Sequence, residues 1–278
     1  MKKILVLIVF ISIGFCVKAQ WWKPQHKEFD TVEYVVMYDL KFKEDTIHLN
    51  YCQTEKQMLS IGSSRKITSY RAYNSYKLDM ELKRRGEDGT SLDWIQSANF
   101  SMDYVATHLF DIFKDYDKGI ITTNDHIFQM GLYEYEEPFD SFNWQITAET
   151  DTISDYICQK AICYFGGRTW LAWFTTEIPI SDGPYKFCGL PGLILNIADT
   201  ENHYSFEFVS IEEPSELMMV YDVIKDRVPT TKKEFFRQQD RLKNNISHGV
   251  KEMTSNEKAV QKAVEYEMSK NNPIELDR

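Results

Sequence analysis

From Thr31 onward, apolar and polar positions alternate. Val32, Tyr34, Val36 and Tyr38 fall on one side, and Glu33, Val35, Met37 and Asp39 on the other. That period of two predicts a strand with a mostly apolar inner face. Residues 46–52 alternate in the same way and predict a second strand. Residues 57–61 predict a third, closed by Gly62-Ser63-Ser64. Tyr73, Tyr76 and Met80 recur at helical spacing, and Gly86 suits the C-cap of that helix. The stretch 105–113 fits both periods, with Met102, Val105, Leu109, Ile112 and Phe113 on a helical face and His108, Phe110 and Ile112 on a strand face. The turn-like run 115–119 and the β-branched residues 120–123 favour a hairpin there. A further strand pair is predicted around 127–135 and 143–147.

Residues 158–165 and 168–175 are two apolar strands joined by Gly166-Gly167, a two-residue hairpin signal because both glycines tolerate positive φ. The segment 177–184 carries Pro179 and Pro184, which lack the donors a ladder needs. Residues 193–198 and 204–211 form the next hairpin, with Tyr204, Phe206 and Phe208 on one face and Ser205 and Glu207 on the other. Beyond a strand around 218–224 the pattern turns helical. Thr231 with Glu234 and Thr254 with Glu257 match the capping box, opening helices over 235–244 and 256–268. Val260, Ala263 and Val264 give the last helix a thin apolar stripe, which predicts packing on the sheet and no second core. The predicted fold is mainly antiparallel β (α+β), a curved, half-barrel-like sheet with C-terminal helices packed on one face or end. Residues 20–225 form its β-rich part, and 226–278 a helical segment on the same domain.

Composition agrees. The chain has 278 residues, 43% hydrophobic and 27% charged, and its 14% aromatic content suits half-buried pleated surfaces. Residues 1–19 stand apart. Lys2-Lys3, an apolar run over 4–17 and the small-residue site Val17-Lys18-Ala19 are a signal-peptide pattern, predicting a mature chain from Gln20 in the periplasm or cell envelope. No second apolar run of that length follows, so no membrane span is expected in the mature chain. Loss of Lys2, Lys3 and Lys18 leaves 29 basic against 42 acidic side chains, a net charge of −13. Such a surface repels nucleic acid and anionic headgroups. Four cysteines remain, Cys52, Cys158, Cys163 and Cys188, with three complete pairings open. Cys158 and Cys163 on one strand would be about 16–17 Å apart, beyond the reach of a bridge.

Candidate chemistry is sparse. His26, His48, His108, His126, His203 and His248 are scattered, and the H-E-x-x-H, paired C-x-x-C and G-x-S-x-G patterns are absent. No metal, cofactor or catalytic residue is assigned. The most particular stretch is Gly183-Pro184-Tyr185-Lys186-Phe187-Cys188-Gly189-Leu190-Pro191-Gly192-Leu193-Ile194. Gly183, Pro184, Gly189, Leu190, Pro191, Gly192 and Leu193 read as a rigid corner, with glycines permitting close approach and Pro191 fixing φ. The competing reading is a contact site. Arg168, Trp173, Tyr185, Phe187 and Leu190 would then line a ligand mouth, one cation among aromatic walls. Otherwise Trp173 and Phe187 are core, and Arg168 pairs with a carboxylate.

These residues resemble the GLPGLI family, uncharacterised secreted proteins of Bacteroidetes. The resemblance rests on Cys158-Gln159-Lys160-Ala161, Gly167-Arg168, Ala172-Trp173-Phe174-Thr175, Glu177-Ile178-Pro179, the 183–194 stretch and Asn272-Pro273-Ile274-Glu275-Leu276; Cys188 departs from the family pattern. The resemblance implies an exported envelope protein, often associated with outer-membrane uptake systems. It supplies no reaction. The expected function is non-enzymatic binding or accessory work, with an outer-membrane transport protein or an apolar small ligand as partner. The alternative is an envelope hydrolase with a site built from scattered Cys, His and carboxylates.

Overall fold

One strand of 18 residues organises the sheet. β1 (Gln25–Phe42) buries Val32, Val36, Tyr38, Leu40 and Phe42 at alternate positions, continuing the predicted period well past Asp39. The computed structural model describes residues 25–88, 105–127, 130–139, 142–224, 226–253 and 256–277. On one edge of β1 lie β2 (Gln53–Gly62), β3 (Ile67–Ala72), β4 (Asp111–Asp115), β5 (Ile120–Ile127) and β6 (Gly131–Pro138), each antiparallel to the last. The other edge pairs with β11 (Tyr204–Glu212), followed outward by β10 (Leu193–Asp199), β9 (Arg168–Thr175), β8 (Tyr156–Phe165) and β7 (Gln145–Ile153). β12 (Met219–Ile224) pairs with the first residues of β1, and β13 (Val228–Pro229) runs parallel to β6. Among the described residues this is a 13-stranded, mostly antiparallel sheet, curved and not closed.

Two stretches depart from the sequence expectation. Residues 46–52 are a loop, with Ile47 and Tyr51 well exposed. Both edges of β1, the strand just before it in the chain, are already taken by β2 and β11, so the alternating run cannot pair with its sequence neighbour. Conversely, β3 was not anticipated. Thr68, Ser69, Tyr70, Arg71 and Ala72 are all buried, so the strand is covered on both faces and its polarity does not alternate. The ambiguous 105–113 stretch is an irregular lead-in followed by β4, and its hairpin turns at Gly119 with φ +67°. The Gly166-Gly167 turn has φ +63° and +74°, as the hairpin requires. Cys52, Cys158, Cys163 and Cys188 are all free thiols, and Cys158 and Cys163 share β8.

Three helices accompany the sheet: α1 (Tyr73–Asp88), α2 (Lys232–Met253) and α3 (Glu257–Ser269). The Glu234 N–H donates to Thr231 Oγ1 over 3.2 Å, the predicted cap of α2. The box at Thr254 and the leader 1–19 lie outside the described residues. Phe235 and Phe236 pack with Ile127, Tyr133 and Tyr135 as a small cluster apart from the main core. α3 packs on α2, not on the sheet as its stripe suggested. A stripe that narrow is covered by one neighbouring helix.

Between β9 and β10 the chain leaves the sheet and fills its concavity. Ile180, Tyr185, Phe187 and Leu190 join Tyr38, Trp170 and Phe206 in the main core. Gly189 has φ +92°, and a Cβ on Gly192 would collide with the Thr175 carbonyl. Leu190 and Leu193 are buried. The loop also carries charge inward. Lys114 of β4, fully buried, donates to Asp182 Oδ1 at 2.5 Å, to Gly183 O at 2.7 Å and to Phe187 O at 3.1 Å. Lys186 is buried against Glu137 of β6, Glu275 Oε1 at 2.7 Å and the Tyr135 hydroxyl at 3.2 Å.

The C-terminal segment is thereby locked down. Glu275 Oε1 also accepts from the Tyr185 hydroxyl at 2.5 Å, and its Oε2 meets Lys232 at 2.5 Å. Burial alone would raise the Glu275 carboxyl, but Lys186 and Lys232 outweigh it and hold the group at about 2. Arg168 grips the same segment, donating to Asn272 Oδ1 at 2.6 Å, Pro273 O at 2.7 Å and Ile274 O at 3.0 Å while paired with Asp199.

Three measurements test this lock. Lys186→Met leaves Glu137 and Glu275 without their shared cation and should cost about 3–5 kcal/mol in urea unfolding; a loss below about 1 kcal/mol would refute the lock. Because the folded Glu275 pKa is depressed, its contribution is present above about 4.5 and lost as pH falls toward 2. Glu275→Gln, destabilised at pH 7, should therefore lose less than the parent over that window. At the corner, Leu190→Ala should cost about 2–5 kcal/mol and Gly189→Ala more than about 1 kcal/mol. Unchanged melting temperatures for both would contradict a corner.

Candidate functional site

The chain that leads into β4 places His108 over the open end of the sheet. Its imidazole Nδ1 lies 2.8 Å from Glu55 Oε2, and its ring meets Phe42 edge-on at 4.6 Å and Phe110 at 5.5 Å. Glu55, on β2, is itself fixed. Its Oε1 accepts from the Thr107 N–H at 2.5 Å and its Oε2 from the Gln57 amide at 2.8 Å and the His108 N–H at 3.3 Å. A carboxylate surrounded by donors serves as acceptor, so Nδ1 takes the donor role. In the neutral ring Nε2 is then the acceptor, and it has no hydrogen-bond partner among the described residues.

His108 borders a cleft of about 350 Å³ between this end of the sheet and the α2–α3 pair. Asp125 of β5 lines the same cleft. Its Oδ1 accepts from the His126 N–H at 2.7 Å, whereas Oδ2 has no hydrogen-bond partner among the described residues. The residue keeps part of its surface open to the cleft, yet its carboxyl is closely surrounded by protein. That burial raises it to about 6, against the opposing pull of the His126 N–H, His108 and Lys186. The far wall includes Lys243, Lys270, Asn272 and Pro273. Lys243 Nζ donates to Lys270 O at 2.6 Å, and Lys270 Nζ to Glu267 Oε1 at 3.1 Å. An imidazole with a buttressed ring and a carboxyl poised near neutrality can bind polar groups and exchange protons.

The residues singled out from sequence lie elsewhere. Arg168, Tyr185, Phe187 and Leu190 are buried within the core and the C-terminal lock, with Tyr185 and Phe187 ring centroids 6.0 Å apart. Trp173 has the opposite parity on β9 from Arg168 and Trp170; it is half-buried, with Lys160 Nζ 5.9 Å from its ring. These five line no common opening. Gly183, Pro184, Gly192 and Leu193 are buried, and Gly189 and Pro191 lie at the surface. Burial pushes the Cys158 thiol up to about 11, and those of Cys163 and Cys188 to about 12, which suppresses thiolate chemistry. Among the described residues, no group of three or more His, Cys, Asp or Glu side chains is placed to hold a metal ion. Glu55 and Asp125 escaped the sequence reading because nothing local marks them. Glu55 reaches His108, and Asp125 shares its cleft, only once the strands pair.

Residues 167–196 match a family described as a protein of unknown function (Porph_ging). The fold is similar to that of PNGF-II, solved in a P21 crystal form, with a TM-score of 0.51 at 11% identity over 76% of this chain and 33% of that one. The C2 form of PNGF-II gives a TM-score of 0.50 at 12% identity, with the same coverage of 76% and 33%. The chain thus spans about a third of the length of these solved structures, and likeness at such identity concerns the fold. No curated protein matches.

Proposed function

We propose that this is an exported cell-envelope protein of the GLPGLI type that binds a small polar ligand and serves an outer-membrane system as an accessory. The observation that carries the reading is the cleft of about 350 Å³ lined by both His108 and Asp125, whose Nε2 and Oδ2 have no hydrogen-bond partner among the described residues. The volume sits near the lower end of the usual range for small-molecule sites. An apolar ligand, one of the sequence expectations, would bury these two groups without compensation and suits the cleft poorly. Export rests on the leader pattern over 1–19, and the family reading on the 183–194 stretch with its C-terminal counterpart. Among the described residues, no helix is long and apolar enough to cross a membrane.

A hydrolytic reading draws on the same pair, since His108 backed by Glu55 and a carboxyl near 6 could act as base and acid. Among the described residues no Cys or Ser side chain lines the cleft, so nothing there supports a covalent thiol or serine mechanism. Binding is therefore the better-supported function.

The test is purification from envelope extract under native conditions. A mature chain beginning at or near Gln20 should retain a small molecule detectable by mass spectrometry, and Asp125→Asn should lose it. Retention of Met1 on a cytoplasmic protein would overturn export. A bound molecule kept equally by Asp125→Asn would overturn the cleft as its seat, and turnover of that molecule would favour the hydrolase.

A further inference from the structure

We infer that the cleft takes a small organic cation, a primary ammonium on a short apolar stem, with Asp125 as its counter-ion and His108 Nε2 as hydrogen-bond acceptor. The inference rests on the binding reading above and names the ligand class. It starts from the balance of charge around the cleft. Carboxylates from Glu44, Asp125, Asp240 and Glu267 line it, against Lys243 and Lys270. Both lysines are already engaged, Lys243 with the Lys270 carbonyl and Lys270 with Glu267. An anionic ligand would face the acidic groups without a spare ammonium to meet it. Glu44 accepts from Gln53 and Glu267 from Lys270, so the carboxylate oxygen a cation finds unengaged is that of Asp125.

Asp125 is the group whose compensation is missing. Its surroundings are His108 and Asp111 from the β4 side, Lys186 from the loop, His126 beside it, Tyr133 opposite on β6, and Asp240, Lys243, Glu267 and Lys270 from the helical side. None of these donates to its second oxygen. Burial then makes the ionised form costly, which is why the carboxyl is raised to about 6. A bound ammonium would supply the absent charge, and Oδ2 of Asp125 and Nε2 of His108 would accept its protons. The donor set is two groups, fewer than a metal ion takes, so the fit is to an ammonium. Phe110 and Tyr204 supply the aromatic wall, and Leu242 and Pro273 an apolar surface for a stem.

The experiment compares pentylamine, pentan-1-ol and pentanoate by NMR titration of the full chain, following the His108 ring. Pentylammonium should bind with the highest affinity and shift the ring. Its affinity should be constant above about pH 6 and fall about tenfold per pH unit below, because ionised Asp125 is the binding form. Asp125→Asn should weaken pentylammonium about tenfold or more while leaving pentan-1-ol little changed. Equal or tighter binding of pentan-1-ol or pentanoate at the same ring overturns the cation and leaves the cleft as a seat for another class. A flat pH profile or an insensitive Asp125→Asn overturns the role of Asp125. If no probe moves His108 while an envelope molecule is still held in an Asp125-dependent way, the ligand class is wrong and the binding reading stands. If nothing is held either, both fail.

Discussion

Two fully buried ammonium groups set the terms for the rest of this fold. A lysine removed from water is tolerated only where opposite charge and acceptors surround it. Lys114 finds them in Asp182 and two loop carbonyls, and Lys186 in Glu137 and Glu275. In each case lysine and partners come from parts of the chain far apart in sequence. Lys114 belongs to β4 and its partners to the β9–β10 loop. Lys186 belongs to that loop, and its partners to β6 and the C-terminal segment. Closing the curve of the sheet, seating the loop and docking the C-terminus are therefore one coupled event.

The coupling reaches the cleft although no residue of the 183–194 stretch lines it. Arg168 and Lys186 hold Asn272 through Glu275, and Asn272 and Pro273 form part of the cleft wall. Asn272 is tied in addition to the end of β1, its N–H donating to Glu44 O at 3.0 Å and its amide to Lys43 O at 2.6 Å. Glu44 lines the cleft beside it. Two of the distinctive sequence segments, 183–194 and 272–276, are thus the two halves of one contact. Their order along the chain hides this, because about eighty residues separate them.

Legibility in the sequence followed the local physics. The β8–β9 hairpin was readable because Gly166-Gly167 and two apolar runs all agree, and β1 because from Val32 onward one of its faces is apolar. The run 46–52 misled because alternation states only what a strand would look like, not whether an edge is available. β3 went unseen because burial on both faces removes the alternation. The site was harder still. Arg168 and Lys186 stand in distinctive company, which invited a binding role, yet their company is distinctive because a buried cation needs so many partners. Glu55 and Asp125 sit in ordinary strand sequence and His108 in the lead-in to β4, and only the pairing of β2 through β5 gathers them at one end of the sheet.

Glu275 and Asp125 show how a lock differs from a site when both are carboxyls in confined surroundings. Burial pushes each upward. At Glu275 two ammonium groups reverse the shift, and the carboxyl ends at about 2 with its charge fully answered inside the protein. At Asp125 nothing reverses it, and the group rests at about 6 with one oxygen unengaged beside a cleft. A compensated charge gains nothing from a ligand, since any newcomer must displace a better partner. An uncompensated one is destabilising for the empty protein and becomes favourable only when something from outside completes it. By that criterion the loop and its lysines are architecture. The unfinished electrostatics lie at Asp125, and that is where a ligand has free energy to gain.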